Sequence, residues 1–215
     1  MTDGTNTPAT DATRRTSSNG RIPSDRDRAA MAHVRAMLEY IGEDPDREGL
    51  VETPGRVVRA MRDHYRGYHE DPRDYLAKTF SEVQGYSELV LVSDIELHSH
   101  CEHHMVPFVG RAHVAYIPDG RVVGLSKLAR VVDAYSRRLQ IQEKLTAQVA
   151  DTIWEALRPL GVAVILQCQH FCMCYRGVRK PSSWTTTSKL HGCFLTNEAS
   201  RQELLTLIGM QKTIN

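Results

Sequence analysis

An α+β fold is what this sequence predicts, and three observations predict it. Apolar residues recur at helical spacing in several long stretches, strand-length alternating runs stand apart from them, and no internal repeat links the two. The opening "MTDGTNTPATDATRRTSSNGRIPSD" is rich in Thr, Ser, Asp and Gly, so residues 1–26 read as a disordered polar tail. Ala30, Met31, Val34, Met37, Leu38 and Ile41 then share helical spacing, which Gly42 ends. A second helix is expected from Thr53, as its N-cap, with Pro54 in the first turn, to about Tyr65. The two form an antiparallel pair in a helical region over 27–80, ahead of the main domain, 81–215.

In that domain "SELVLVSDIELHSH" alternates as a strand from Ser87. "GRAHVAYIPDGRVVGLS" reads as a strand, a turn at Pro118-Asp119-Gly120 and a short return. A helix starting near Ser126 is predicted by Leu128, Val131, Val132 and Tyr135, and another by Ile141, Leu145, Val149, Ile153 and Leu157, closing at Pro159 and Gly161. "VAVILQCQHFCMCYRG" is the next strand, "SWTTTSKLHGCFL" a further pair, and "NEASRQELLTLIGM" the last helix.

Composition narrows the function. A hydrophobic fraction of 41% and a charged fraction of 25% are ordinary for a globular domain, and a net charge of +1 gives no general attraction to nucleic acid or to an anionic membrane. No run reaches the roughly 18 apolar residues of a membrane span, and the start lacks the apolar core of a signal peptide, so a cytoplasmic location is expected. Five cysteines, an odd number crowded mostly between Cys168 and Cys193, suit reduced thiols better than a disulfide framework.

The chemistry concentrates in "SHCEHHMVPFVG". Cys101 and His104 are three apart, so one helical turn brings both to one side, where zinc accepts thiolate and imidazole together. A third ligand is expected from "CQHFCMCYR". Read as a strand, it puts Cys168, His170, Cys172, Cys174 and Arg176 on one face, and spacing alone does not choose among the cysteines. His103, between the candidate ligands, is expected to point away from them and to suit general acid–base work. In "GLSKLAR", Ser126 is expected to cap a helix whose first turn carries Lys127 and Arg130, a phosphate site. No GxxxxGK[ST] is present. In "LQIQEKL", Gln142 and Glu143 lie at a helix junction, where a carboxylate can accept two hydrogen bonds from a guanine edge.

Together "ETPGRV", "CEHHMVPFVG", "GLSKLARVV", "QIQEKLT", "HFCMCYRGVRKP" and "SSWTTTS" resemble GTP cyclohydrolase I, in family order over roughly residues 35 to 209. The resemblance implies zinc held by Cys101, His104 and Cys172, with a fourth position for a water that attacks C8 of GTP. It implies proton transfer by His103 and His170 as the imidazole ring opens and formate leaves, then an Amadori rearrangement and closure to dihydroneopterin triphosphate. Glu143, with Gln142 beside it, matches the guanine reader. Ser126, also counted with the catalytic positions, Lys127, Arg130 and Arg176 match triphosphate and ribose contacts, joined by Arg56 and Arg59 from a neighbouring subunit. The implied fold is the tunnelling fold, an antiparallel sheet with two long helices, in a homodecameric ring. Arg59 stands where other members carry Lys, and His100 where the family often has a small residue. A zinc nucleoside deaminase needs a PCxxC that is absent here. A nitrile reductase of the same fold has no use for "CEHH". A structural zinc sensor leaves His103 and His170 unexplained.

Overall fold

The computed structural model describes residues 23–81 and 84–211. The expected tail lies outside them up to Ile22. Two compact units divide the chain after Arg62. The first holds α1 (Asp25–Tyr40) and nearly all of α2 (Thr53–His64). Helix α1 starts inside the stretch assigned to the tail because Ser24 and Asp27 close a capping box. Asp27 also pairs with Arg62, tying the first turn of α1 to the last of α2 as an antiparallel pair requires. The Arg62 hydrogen bond, then those from Ser24, hold the Asp27 carboxyl well below its usual range.

In the second unit two short 3-10 helices (Arg66–His69 and Pro72–Leu76) precede β1 (Thr79–Phe80), β2 (Val90–Cys101), β3 (Pro107–Ile117), β4 (Val122–Val123), α3 (Leu125–Ser136) and β5 (Leu139–Gln140). They continue with α4 (Gln142–Leu157), β6 (Gly161–His170), α5 (Phe171–Cys174), β7 (Thr185–Gly192), α6 (Cys193–Thr196) and α7 (Glu198–Gln211). The main sheet has the order β5-β2-β3-β6-β7. It is mixed rather than wholly antiparallel, because the two residues of β5 run parallel to the end of β2. The expected return strand, β4, pairs with β1 and not with β3. Its Val123 N–H donates to the Tyr116 hydroxyl, 3.2 Å away. The predicted pair in "SWTTTSKLHGCFL" is one strand, β7, followed by the short α6, because Gly192 turns the chain at φ 58°.

Period-two alternation sets the two faces of the sheet. Ala112, Val114 and Tyr116 of β3, with Val162, Val164, Leu166 and Cys168 of β6, pack with Leu128, Val131 and Val132 of α3 and Leu145, Val149 and Ile153 of α4. Ala115 and Ala163 face the other way, with Phe194, Leu204 and Ile208. In β2 the phase is reset by a bulge between Val92 and Ile95, where Asp94 takes φ 53°. One extra residue there turns Leu97 and Cys101 toward the α3–α4 core. Among the described residues no helix is long and apolar enough to cross a membrane.

Candidate metal centre and active site

At the end of β2 the chain makes one helical turn that does not continue: Met105 N–H donates to Cys101 O (2.8 Å) and Cys101 N–H to Val106 O (2.9 Å). This returns the His104 Nδ1 to 3.9 Å from the Cys101 Sγ. Strand β6 stops at His170 and passes into α5, so the expected single face from Cys168 to Arg176 does not exist. Cys168 is fully buried in the core and Cys174 is packed at 7% exposure, whereas the turn of α5 carries Cys172 to the metal side. The donor atoms of Cys101, His104 and Cys172 lie within 4.8 Å of one another. A tetrahedral zinc with sulfur and nitrogen ligands has ligand–ligand edges of about 3.5–3.8 Å, so this soft donor set fits that ion after a small contraction. Burial, then the neighbouring Cys101, pushes the Cys172 thiol up, a penalty that a cation between the sulfurs removes.

His103 does not point away from the ligands, as expected, because the tight turn brings its Nδ1 also to 3.9 Å from the Cys101 Sγ. Its ring stands edge-on to that of His104, with centroids 6.3 Å apart, and is exposed. His170 is half-buried and stacked on Phe108, with ring centroids 4.6 Å apart and planes 11° off parallel. The two residues are register partners across β3 and β6. Burial lowers the His170 pKa, and the charge of Glu143, on the exposed first turn of α4, works against that shift. Gln142, expected beside Glu143 at a guanine edge, is instead 1% exposed and bonded on the inside, with its oxygen 2.8 Å from the His170 Nε2.

Ser126 is not the helix cap: Gly124 takes that position, and Ser126 is the second residue of α3. The Ser126 and Lys127 side chains make no hydrogen bond or ion pair among the described residues, which leaves a hydroxyl and an ammonium available at a helix N-terminus. The Arg130 guanidinium lies 5.9 Å from the centroid of the Tyr75 ring. Arg176 follows α5, exposed, and its charge favours the Cys172 thiolate. Arg56 and Arg59 belong to α2, where Arg56 pairs with Glu52 at 2.8 Å. His100 packs against His64 and Tyr65, with centroids 4.8 and 5.3 Å away.

Two participants were not singled out in the sequence. Phe108 stood within a quoted motif, and only the β3–β6 register gives it a role. Lys144 reaches Glu102 at 3.4 Å and so links the start of α4 to the Cys101 turn.

The family model for GTP cyclohydrolase I matches residues 30–209. A protein of Chlorobium chlorochromatii (strain CaD3) named GTP cyclohydrolase 1 is 57% identical over 175 residues, covering 81% of this chain and 78% of that protein. One of the same name from Brucella suis is 54% identical over 179 residues, covering 83% and 84%. Among solved structures, the archaeosine synthase QueF-Like in the apo form gives a TM-score of 0.41 at 20% identity, over 48% of this chain and 93% of that one, a likeness too slight to carry an argument.

Proposed function

The chain belongs to the GTP cyclohydrolase I family, and from that premise we propose that it hydrolyses GTP at C8, releases formate and rearranges the ribose to give 7,8-dihydroneopterin triphosphate, the first step of pterin and tetrahydrofolate synthesis. The observation that carries this reading at the site is the Cys101, His104 and Cys172 donor set, with the His103 imidazole beside Cys101 and His170 at the cap of the short helix that carries Cys172. Cys101, His104 and Cys172 would hold a zinc ion. When bound, zinc supplies Lewis acidity that brings water's pKa from 15.7 toward about 7 and makes it a nucleophile near neutrality.

The chain's own groups do the rest. His103, exposed beside the ligands, accepts and returns protons as the C8–N9 and then the C8–N7 bonds break. His170 is held mainly neutral by burial and is therefore able to take a proton. Two waters enter, at ring opening and at formyl cleavage, and one leaves when the new ring closes. Glu143 reads the N1–H and exocyclic amine of guanine; adenine leaves that carboxylate unpaired. Ser126, Lys127, Arg130 and Arg176 hold the triphosphate and ribose, with Arg56 and Arg59 supplied from a neighbouring subunit. Family membership alone supports the tunnelling fold, a homodecamer and a cytoplasmic location.

The test is incubation of zinc-loaded protein with GTP, following formate and, after oxidation, a fluorescent pterin. Both are expected from the wild type and neither from a chelated sample or from His103→Ala. Tight GTP binding without formate in any sample would overturn the enzyme reading.

A further inference from the structure

Gln142 opens α4, yet its side chain faces inward at 1% exposure. Its amide nitrogen donates to Leu166 O (3.2 Å), Thr185 O (3.0 Å) and the Thr187 Oγ1 (3.0 Å), two hydrogens shared among three acceptors. Two of those acceptors are backbone carbonyls, which cannot donate, so the amide cannot be turned over. The hydroxyls agree: the Thr146 Oγ1 donates to Gln142 O (2.7 Å), so in the 2.7 Å contact between Thr187 and Thr146 the hydrogen comes from Thr187. The Thr187 oxygen therefore offers Gln142 a lone pair. With its nitrogen fixed toward β6 and β7, the side-chain oxygen of Gln142 faces the His170 Nε2 at 2.8 Å. A carbonyl oxygen only accepts, so Nε2 carries a hydrogen and the lone pair of the neutral ring is on Nδ1.

We propose that Gln142 is a positioning residue, whose carbonyl oxygen fixes His170 as the Nε2–H tautomer and makes Nδ1 the ring atom that takes and returns the proton. The proposal rests on the reading of His170 as a proton carrier in GTP ring opening. An unconstrained imidazole populates both tautomers and swings about its side-chain bonds; the Gln142 oxygen selects one tautomer, and the Phe108 stack fixes the plane of the ring. Recognition of guanine then falls to Glu143, and Gln142 acts behind the histidine instead of on the base.

Zinc-loaded Gln142→Met, Thr187→Val, His170→Ala and the Gln142→Met/His170→Ala double variant test this by steady-state formate release. Gln142→Met is expected to lower kcat by about 10²-fold or more, with KM for GTP within about threefold of wild type. Thr187→Val removes one anchor of the amide and gives a smaller fall of the same kind. In the His170→Ala background, Gln142→Met is expected to add no further loss, since its effect passes through the missing ring. A raised KM with kcat retained makes Gln142 a substrate reader and overturns the proposal, as do losses that add in the double variant. If Gln142→Met does not fold, Thr187→Val decides by the same split. Formate release by His170→Ala at the wild-type rate overturns the underlying reading of His170, whatever Gln142→Met does.

Discussion

Replacing Cys168 by alanine tests whether this thiol is core packing or a latent ligand, because the two roles give opposite responses to pH. Cys168 is fully buried on β6, and burial pushes its thiol from an ordinary 9.0 up to about 12. The folded protein thus keeps a proton that the unfolded chain loses above pH 9. Its contribution to stability is complete below pH 9 and is lost as pH rises toward 12. The slope reaches about 1.4 kcal/mol per pH unit, or roughly 4 kcal/mol over the whole shift. Cys168→Ala lacks that slope, and starts about 1–2 kcal/mol less stable at pH 7 from the lost sulfur packing. Urea unfolding of both proteins from pH 7 to 10.5 is expected to show the wild-type advantage shrinking above pH 9 and vanishing near pH 10–10.5. Other titrating groups are common to both proteins and cancel in the difference. A constant difference, or an advantage that grows with pH as for a sulfur held as thiolate, would refute the reasoning.

Three further outcomes are expected. Cys172→Ala should lower bound zinc from near one per chain to near zero, measured by atomic emission, with the far-ultraviolet circular dichroism unchanged; retained metal would remove Cys172 from the ligand set. Phe108→Leu takes away the ring stacked on His170, and should reduce kcat by about tenfold and unfolding free energy by ~1–2 kcal/mol, checked by formate release and urea titration. At Gly110 an added Cβ would sit 1.9 Å from Gln167 O, so Gly110→Ala forces β3 and β6 apart and should destabilise by more than about 3 kcal/mol. An unchanged urea midpoint would contradict that close approach.

Helix α4 was legible in the sequence because its buried apolar positions repeat at helical spacing, as Leu145, Val149, Ile153 and Leu157 do, whereas α1, with no buried residue, was legible only from the spacing of its apolar side chains. Helix α5 was not, since four residues are too few to express a period and "CQHFCMC" alternates as well as it coils. Its consequence was large: the expected shared face of five residues dissolved, and only the helical turn separates Cys172 from the packed Cys168 and Cys174. The preference for Cys172 came from family resemblance, and spacing had no means of supplying it. The inward side chain of Gln142 was hidden for a different reason. At the first position of a helix a glutamine is usually solvated, and its burial depends on the Leu166, Thr185 and Thr187 acceptors that the β6–β7 pairing brings to it.

The bulge at Asp94 changes what an intact motif is worth as a diagnostic. Cys101 faces the core only because one residue is inserted upstream in β2, seven positions before the cysteine. A relative with every letter of "CEHH" in place but one residue fewer at 93–94 would present the cysteine to the opposite face and leave His104 without its sulfur partner. Deletions outside all the quoted motifs can therefore silence the site while every signature survives. Screening genomes for working members of this family requires counting the residues between the start of this strand and its cysteine, as well as matching the ligands.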